Sequence, residues 1–389
     1  MNINKKIIEA KKEYKKFLEY TKERYPIYAK NKIKKYSKYE LIINYIALII
    51  CIKILKINIY KNIPKYIFQG LKYKHLLEIL PSNEIMIIGG RNEYQYCKEK
   101  GYKFHWSGYI GKAFELYYFG GMVSPYYQAL KNIKKLINEK PYNLKYIILW
   151  EDTQPIGMSL SLILKGMENI KVICIAHGYE YKRKSKQKMR LDGSNCEFNL
   201  VYDQEHAKFY NREKTFILGL PYEVKKSENI KNKVILVEEH GTSAGEEYIY
   251  CLNEIIKIYK ILKKSEIEVV YRPRPGSDKN YLSGIFTNIY DGNKFNLFEE
   301  GRMIYIGFNS TLLYEAKAYG NIIIGIKSDV LYNQRNFSVD ININDEKYEE
   351  LPEIIRSLNF NEIKENEVDN KENLKSRFIR CIELIKNSK

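Results

Sequence analysis

Short apolar runs that end in turn residues recur along the chain and alternate with segments of helical periodicity. Five of them precede residue 225: EIMIIGG (84–90), LKYIILW (144–150), KVICIAHG (171–178), FNLVYD (198–203) and TFILGLP (215–221). Strands that alternate with helices form parallel sheets with right-handed crossovers. The pattern therefore predicts an α/β fold.

A second series of the same kind follows the polar stretch PYEVKKSENIKNK (221–233), which we interpret as a linker. Its predicted elements are the strands KVILVEE (233–239), IEVVYRP (267–273), RMIYIGF (302–308) and NIIIGI (321–326) and the helices 246–264 and 311–320. A chain of 389 residues is too long for one ordinary core. We therefore predict two Rossmann-like domains that face a cleft.

Four parts are predicted along the chain. They are a helical N-terminal extension packed on the first domain (1–80), the first Rossmann-like domain (81–225), the second (226–345) and C-terminal helices (346–389). Within the extension, LIINYIALIICIKILKINIY (41–60) has an apolar core of about 12 residues, whereas a spanning helix needs roughly 20. We interpret this segment as a buried helix; an interfacial helix with lysines reaching outward is the alternative.

The charge balance favours a polyanionic partner. Lys and Arg number 65 against 47 Asp and Glu, a formal net charge of +18, which suits nucleic acid, anionic lipid or phosphorylated substrates. No nucleic-acid-binding motif is present, so nucleic acid is not expected as a partner. The six cysteines include no CxxC pair, which favours a reducing cytoplasm and supports neither a zinc site nor a disulfide framework. The charged first helix differs from a signal peptide.

The residues that directly follow the strands are the candidate site, because open α/β sheets bind ligands beyond the carboxyl ends of their strands. His177 and Gly178 follow VICIA, with Glu180 close behind. A histidine has an unperturbed pKa near 6.5, which suits proton transfer. The alternative is a structural histidine bonded to a nearby carbonyl group.

Acidic pairs follow two other strands. Glu151 and Asp152 follow IILW, where they could serve as base, orient His177 or bind a hydroxyl-rich acceptor. Capping of the helix near Pro155, by Asp152 or Thr153, is the alternative. The pair Glu238-Glu239 follows VILV, ahead of residues whose backbone N–H groups suit an anion. Its carboxylates oppose an anion, so an acceptor or sugar hydroxyl is an alternative ligand. Capping of the long helix explains Ser243 about as well.

Two arginines follow the strand IEVVY in the stretch YRPRPGSD (271–278). Pro273 and Pro275 fix the backbone, and alternate residues of an extended segment point the same way. Arg272 and Arg274 are therefore predicted to face one ligand, and arginine binds phosphate through two parallel hydrogen bonds. A salt bridge to the acidic FEEG at 298–301 is the alternative.

A complementary segment follows RMIYIGF, where Asn309, Ser310 and Thr311 begin a predicted helix. Ser or Thr at a helix start caps it, and the same geometry binds anions. Glu315 lies about one turn further and could reach a ribose hydroxyl or pair with a lysine. Gly307, together with Gly320 and Gly325, is predicted to let chain and ligand approach closely.

YRPRPGSD and, some 35 residues later, NSTLLYEAKAYG together resemble the donor domain of two-Rossmann-domain (GT-B) glycosyltransferases. The resemblance is to enzymes of bacterial surface polysaccharides: sialyltransferases, capsule Kdo transferases and CDP-glycerol glycerophosphotransferases. IAHGYEY similarly resembles the His-Gly element of their acceptor domain. The resemblance covers roughly residues 145–326.

The resemblance implies an inverting, metal-independent glycosyltransferase. It assigns the nucleotide-sugar donor to the second domain, with its phosphates on Arg272, Arg274, Ser310 and Thr311. It assigns the acceptor, a glycan or lipid-linked glycan, to the first domain, with His177, Glu239 or Asp152 as the base. No cofactor is implied: the nucleotide-sugar is a substrate, and no D-x-D triplet calls for a metal.

Two residues depart from the family pattern. Arg274 replaces the usual histidine of the histidine-proline pair, and arginine cannot donate and recover a proton at pH 7. Glu238-Glu239-His240-Gly241 is one residue longer than the acidic-pair-glycine motif of sialyltransferases. A CDP-polyol phosphotransferase of the same architecture and a non-catalytic nucleotide- or polyanion-binding protein are therefore alternatives.

The basic run that begins at Lys182 and ends at Arg190 is a candidate surface for an anionic glycan or an anionic membrane carrying a lipid-linked acceptor. A solvated loop explains the run equally well. A cytoplasmic enzyme, peripheral at the inner face of the cell membrane, is expected.

Overall fold

The computed structural model describes residues 3–24, 37–55, 64–138, 144–167, 169–176, 178, 182–183, 195–239, 245–331, 333–335, 337–360 and 372–388. Its strands are β1 (Tyr66–Gln69), β2 (Ile85–Gly89), β3 (Lys103–Trp106), β4 (Tyr146–Leu149), β5 (Lys171–Ile175), β6 (Lys182–Arg183), β7 (Phe198–Val201), β8 (Thr215–Ile217), β9 (Ile230–Val237), β10 (Glu268–Arg272), β11 (Arg302–Gly307), β12 (Ile322–Ile326), β13 (Asn333–Gln334) and β14 (Ile341–Ile343).

The helices precede, separate and follow these strands along the chain. They are α1 (Ile3–Arg24), α2 (Lys38–Leu55), α3 (Lys74–Glu78), α4 (Arg91–Lys100), α5 (Gly108–Gly120), α6 (Val123–Asn138), α7 (Pro155–Leu164), α8 (Gln204–Ala207), α9 (Glu246–Lys264), α10 (Lys279–Ser283), α11 (Lys294–Glu300), α12 (Thr311–Ala318), α13 (Leu351–Ser357) and α14 (Leu374–Asn387).

The first sheet is parallel and has the strand order β3-β2-β1-β4-β5-β7-β8. Successive side chains of a strand point to opposite faces. Ile67 and Ile147 therefore face a layer that includes α1, α5, α6 and α7. Tyr66 and Tyr146 stack on the other face, against α3, α4 and α14.

The second sheet is also parallel, with the order β10-β9-β11-β12-β14. The first sheet has the Rossmann strand order and the second has the flavodoxin-like order, and each has one point where the order reverses. These switch points fall between β1 and β4 and between β9 and β11. The predicted α/β fold with two Rossmann-like sheets is confirmed.

The predicted helical character of residues 1–80 is wrong for Tyr66–Gln69, which form β1. This strand is fully buried and lies at the switch point of the first sheet. Its four residues are too few to display a period along the sequence, because a strand of this length completes only two alternations.

The apolar segment after residue 40 forms α2, and its interpretation as a buried helix is wrong for one of its faces. Leu48 is buried, but Ile42, Ile43, Ile46 and Ile50 are exposed. Among the helices in the described ranges, none is long and apolar enough to cross a membrane.

The helix α14 returns to the first sheet after the chain has completed the second. Its buried Arg377 donates from Nη1 to the carbonyl oxygens of Leu218 (2.8 Å) and Leu220 (3.1 Å) and from Nη2 to that of Tyr222 (3.2 Å). Gly219 has φ +76°, and a Cβ there would lie 2.3 Å from Nη1. Arg377 thus ties α14 to the segment in which the chain leaves the first sheet.

The two sheets meet through packed aromatic residues. Tyr202, just after β7, stacks on Tyr314 of α12 with ring centroids 5.7 Å apart and planes 12° apart. Leu220 and Tyr222 are buried in the same apolar cluster, which consists mostly of residues from the second sheet and its helices. The contact holds the strand ends of the two sheets near each other.

Candidate active site

The stretch RPRPGSD forms a turn that is anchored to the end of β9. The N–H of Ser277 donates to the carbonyl of Arg274 (3.2 Å), and Gly276 has φ +91°, as expected for proline and glycine at the centre of a type II turn. The carboxylate of Glu238 accepts from the Arg274 N–H and the Ser277 hydroxyl, both at 2.5 Å. Asp278 then caps α10.

Glu238 is buried among tyrosines as well. Its Oε1 has no hydrogen-bond partner among the described residues, and neither has the hydroxyl of Tyr271. Burial, together with Glu238, raises the pKa of Tyr248 to about 12. The carboxylate therefore sits in a low-dielectric setting in which its two hydrogen bonds to the turn are strengthened.

The two arginine side chains donate to different backbone carbonyl groups, and the expectation that both guanidinium groups face one ligand stays a prediction. Arg274 donates from Nη1 to the carbonyl of Glu239 (2.6 Å). Arg272 donates to the carbonyl of Pro273 (2.6 Å) and lies 5.8 Å from the ring centroid of Tyr290. Among the described residues, no carboxylate forms a salt bridge with either side chain, and Lys233 pairs with Glu300 of the FEEG segment instead.

Glu239 anchors the second predicted phosphate-binding segment. Its Oε2 accepts from the backbone N–H of Asn309 (2.7 Å), and its side chain is almost fully buried. The assignment of Glu239 as a catalytic base is contradicted, because a buried carboxylate that holds a backbone amide has no access to an acceptor hydroxyl. Adjacent acids at the end of β9 thus hold two different loops.

The segment Asn309-Ser310-Thr311 lies where the sequence predicts an anion site. Ser310 is the N-cap of α12, and its hydroxyl accepts from the N–H of Leu312 (3.4 Å). Asn309 is buried, and its Oδ1 accepts from the N–H of Arg335 (2.7 Å). The N-terminal end of α12, including Thr311, is partly exposed to solvent.

The two predicted motifs meet across the sheets at Gly178. A Cβ at Gly178 would lie 3.4 Å from the hydroxyl oxygen of Thr311. The His-Gly element after β5 therefore abuts the N-terminus of α12. His177 and Glu180 themselves lie outside the described residues.

The acidic pair after β4 is part of the fold. Asp152 is fully buried, and its Oδ2 accepts from the N–H groups of Asn195 (2.6 Å) and Cys196 (2.8 Å). Glu151 is buried too and accepts from the Gln69 amide (2.9 Å) and the Gln154 N–H (2.7 Å).

These contacts correct two assignments. Asp152 as a base and Glu151 as an acceptor-side group are contradicted, because neither reaches solvent. The start of α7 also differs from the predicted alternative, in which Asp152 or Thr153 caps the helix. Gln154 is the N-cap residue of α7, ahead of Pro155, and Glu151 supplies the side-chain acceptor.

The carboxylate of Glu315 pairs with a lysine of a neighbouring helix. Both of its oxygens lie 2.6 Å from the Nζ of Lys294, and its side chain is buried. The Lys294 ammonium also lies 5.2 Å from the ring centroid of Tyr222, whose pKa is raised by burial and by Glu315. The lysine alternative is confirmed and the ribose contact is contradicted, although Lys294 belongs to α11 and not to the helix of Glu315.

Protein side chains lie directly against Gly307, Gly320 and Gly325. A Cβ at Gly307 would lie 3.3 Å from Val237 and 3.4 Å from Leu313, so this glycine lets α12 start close to β9. The guanidinium of Arg335 lies against Gly325, and Arg302 lies against Gly320. Close approach of a ligand at Gly307 is therefore contradicted.

Arg335 is a site residue that the sequence did not reveal. It donates from Nη1 to the carbonyls of Phe308 (2.8 Å) and Ile326 (3.0 Å), and burial lowers its pKa to about 10. Beside it opens a cavity of about 330 Å³. Its lining includes Asn309, Lys327, Ser328, Asp329, Arg335 and Asn342.

This cavity lies within the size range of small-molecule sites, roughly 300–1,000 Å³. It opens at the carboxyl end of β12, next to the N-terminal end of α12. A larger cavity of about 690 Å³ lies elsewhere, between β8 and α14, and none of the predicted site residues lines it.

The basic run contributes the strand β6 to a two-stranded sheet with β13. Lys182 and Arg183 (β6) pair antiparallel with Gln334 and Asn333 (β13). A loop of the first unit, meaning the first sheet with its helices, therefore hydrogen-bonds to a loop of the second unit, which is the second sheet with its helices. Residues 184–190 lie outside the described residues. In the described part of the chain, no group of three or more His, Cys, Asp or Glu side chains could hold a metal ion.

No protein-family model matches the chain, and no curated protein matches it. Solved structures do match it over most of its length. A UDP-GlcNAc 2-epimerase from Methanocaldococcus jannaschii is 13% identical, with 82% of this chain and 99% of the epimerase covered and a TM-score of 0.51. A glycosyltransferase from Rickettsia africae is 12% identical over 85% of this chain and 95% of its own, with a TM-score of 0.46.

The wall teichoic acid polymerase TagF is 12% identical over 90% of this chain and 98% of its own, with a TM-score of 0.47. At such identities a likeness establishes the fold alone, and the match to the epimerase is the one that supports it here. The chain has the two-Rossmann-domain, GT-B fold, as its sequence motifs predict.

Proposed function

We propose that the protein is a glycosyltransferase that transfers a sugar from a nucleotide-activated donor to a hydroxyl group of a bacterial surface glycan. The observation that carries the proposal is the contact between Gly178 and Thr311. It joins the His-Gly element of the first unit to the Ser-Thr element of the second at the carboxyl ends of both sheets. Ligands of open α/β sheets bind at this position.

The donor side is the N-terminus of α12 and its surroundings. Donor phosphates would lie against the backbone and hydroxyl groups of Ser310 and Thr311, with Arg274 at the neighbouring turn. The nucleoside would occupy the cavity beside Arg335. The Methanocaldococcus structure that shares the fold holds UDP-GlcNAc and UDP, which supports a nucleotide-sugar as the ligand.

The proposed reaction needs one base and no covalent intermediate. His177 takes the proton of the acceptor hydroxyl, whose oxygen attacks the anomeric carbon from the face opposite the nucleotide. The bond from that carbon to the phosphate oxygen breaks, and the nucleotide leaves with the electron pair. Inversion follows from this single displacement, and Arg274 with the α12 N-terminus stabilises the leaving phosphate without a metal.

Arginine at position 274 changes how the leaving group is stabilised. It offers a permanent charge where the related enzymes have a histidine, so protonation of the leaving phosphate is not part of the scheme. We place the enzyme in the cytoplasm at the membrane surface, with a glycan or lipid-linked glycan as acceptor. The basic run after Lys182 remains a candidate acceptor contact.

The first test is thermal unfolding with CMP, CDP, UDP, GDP and ADP. A nucleotide at 100 times its dissociation constant stabilises the native state by about 2.7 kcal/mol. One of the five should raise the melting temperature of the wild type, and Arg274→Ala should lose most of that rise. Arg356→Ala is the matched control, because Arg356 bonds to Ser265 ahead of β10, at the opposite end of the sheet.

Product analysis then separates the classes. With the responding nucleotide's sugar and an acceptor glycan, His177→Ala should abolish transfer while leaving the thermal response intact. Transfer of a polyol phosphate from a CDP-polyol would identify the phosphotransferase alternative, and a changed sugar without acceptor would identify an epimerase. A thermal response without any turnover would identify a non-catalytic binding protein. Absence of any nucleotide response would reject the glycosyltransferase proposal.

A further inference from the structure

One face of α2 presents an unbroken apolar stripe to solvent. Tyr39, Ile42, Ile43, Ile46 and Ile50 have between 52% and 81% of their surface exposed. Their spacing of three, one, three and four residues places them on one side of a helix. Single exposed apolar side chains are ordinary on proteins, but a contiguous row of large ones marks an interaction surface.

The opposite face fixes the helix to the first unit. Leu48 is buried, and Leu41 lies against Gly120 of α5, where a Cβ would be 2.6 Å from the leucine. The helix start is also held. Ser37 and Glu40 form a reciprocal capping pair, with the Ser37 N–H donating to Glu40 (2.8 Å) and the Glu40 N–H donating to the Ser37 hydroxyl (3.2 Å). The stripe therefore has a defined orientation on the protein surface.

The chain's positive charge is concentrated in the same region. Residues 1–65 contain sixteen lysines and one arginine against five glutamates, a net charge of +12 out of the total of +18. Lysines flank the stripe on both sides along the sequence. They are Lys30, Lys32, Lys34, Lys35 and Lys38 before the stripe and Lys53, Lys56, Lys61 and Lys65 after it.

An apolar stripe flanked by lysines fits one kind of partner. A second copy of the chain would bring two segments of charge +12 together, and their repulsion opposes such a contact. An anionic lipid surface attracts the same charge, and its acyl boundary accepts the isoleucines while lysines reach the headgroups. We propose that α2 lies in the interfacial plane of a membrane that contains anionic lipid, with its Tyr39–Ile50 face inserted.

The geometry agrees with a helix that lies flat. Eighteen residues extend about 27 Å, and the inner face is occupied by protein, so only the outer face is available to lipid. Such a helix docks the first unit, which is the proposed acceptor side, to the bilayer. The proposal stands on the stripe and the charge and does not depend on the donor chemistry.

The test is co-sedimentation of the full chain with lipid vesicles. We expect binding to vesicles of phosphatidylcholine and phosphatidylglycerol in a two-to-one ratio, and at least about tenfold weaker binding to phosphatidylcholine alone. The double variant Ile43→Glu/Ile46→Glu should lose at least about tenfold in binding to the mixed vesicles, because it removes two inserted side chains and adds two negative charges. The control is Ile249→Glu, which changes an equally exposed isoleucine on α9.

A second variant reports insertion itself. Ile46→Trp should show a blue shift in its fluorescence when mixed vesicles are added, with Ile249→Trp showing none. Unchanged vesicle binding by the glutamate variant, or equal binding to neutral vesicles, would overturn the proposal. It would also be overturned by a stable dimer in solution that the glutamate variant converts to monomers, because the stripe would then be an interface between copies. None of these results bears on the nucleotide response.

Discussion

At the scale of single residues, the main finding is the role of the two acids at the end of β9. Glu238 accepts from the N–H of Arg274, and Glu239 accepts from the N–H of Asn309. Neighbouring residues of a strand point in opposite directions, so one pair of carboxylates can hold two loops. The acids set the position of the cationic turn relative to the start of α12.

This role predicts a difference between two substitutions of Glu239. Glu239→Ala leaves the buried N–H of Asn309 without its acceptor and should lower the free energy of unfolding by about 1–3 kcal/mol. Glu239→Gln keeps an oxygen at that position and should lose less than half as much, while retaining the nucleotide response and transfer. Urea unfolding and the transfer assay measure both.

A catalytic role would give the opposite result. Transfer lost in Glu239→Gln to the same extent as in His177→Ala, at unchanged stability, would mean that Glu239 moves the proton. Glu238→Gln is the matched control, since Glu238 makes the same kind of contact with the other loop.

The sequence predicted which residue types follow the strands but not where their side chains point. Arg272, Arg274, Ser310 and Thr311 could be picked out because strand ends are recognisable and phosphate ligands are chemically distinctive. The burial of Asp152 and Glu315 depends on Asn195 and Lys294, partners 43 and 21 residues away, which local patterns do not reveal. Arg335 follows no predicted strand, so no local signal pointed to it.

At the scale of elements, the main finding is the position of α14, the last helix of the chain, on the first sheet. It supplies Phe378 and Cys381 to the core of the first sheet, although that sheet is otherwise complete at residue 217. Arg377 fixes the helix through three carbonyl oxygens of the departing chain. The helix therefore belongs physically to the first unit.

Arg377→Ala should lower the free energy of unfolding by at least about 2 kcal/mol, because three buried carbonyls lose their donor. Arg380→Ala on the same helix is the control. Its side chain is 40% exposed and pairs with Glu372 at 3.0 Å, so its loss should cost less than about 1 kcal/mol. Chemical denaturation of the two variants makes the comparison. Equal losses of unfolding free energy in the two variants would show that the buried guanidinium stabilises the protein no more than the side chain of Arg380 does.

Elements with long apolar runs were predictable, and short ones were not. The helix 246–264 was predicted with the bounds it has, and the strands β9, β10, β11 and β12 of the second sheet were predicted within a few residues. The fifth strand of that sheet, β14, was missed. By contrast, β1 and β3 were missed, because YIFQ and KFHW carry aromatic and polar side chains in place of an aliphatic run. Their pairing with long strands stabilises them, and such tertiary pairing is not visible in a local window.

At the scale of the whole molecule, the sequence led to the fold through two weak motifs taken together. The arrangement of the sheets then followed from general rules on parallel strands. The contacts between the units did not, since they consist of pairs such as Tyr202 with Tyr314 and of the pairing of β6 with β13. Neither has a signature in the sequence.

Whole-molecule stability should depend on pH through His105. Burial lowers the pKa of this histidine from 6.5 to about 4, so folding favours its neutral form. Its contribution is present above pH 6.5 and is lost as the pH falls through about 4, with a total of about 3 kcal/mol. His105→Phe should flatten the acid limb of the stability profile between pH 7 and pH 4.

The control for that experiment is His75→Gln, because His75 is exposed. Its profile should follow the wild type, since carboxylates that titrate in the same range are common to both proteins. An acid limb of His105→Phe as steep as that of the wild type would show that other groups account for acid unfolding.

The late return of α14 also orders the events of biosynthesis. The strands of the first sheet leave the ribosome long before residues 374–385 are made, and at about 5–20 residues per second the interval is on the order of ten seconds. During that time the face of the first sheet that packs against α3, α4 and α14 lacks the last of these helices, while the second unit can already close its own core. The unit that is translated first is therefore completed last, and a nascent chain stalled before residue 374 presents an apolar surface to chaperones.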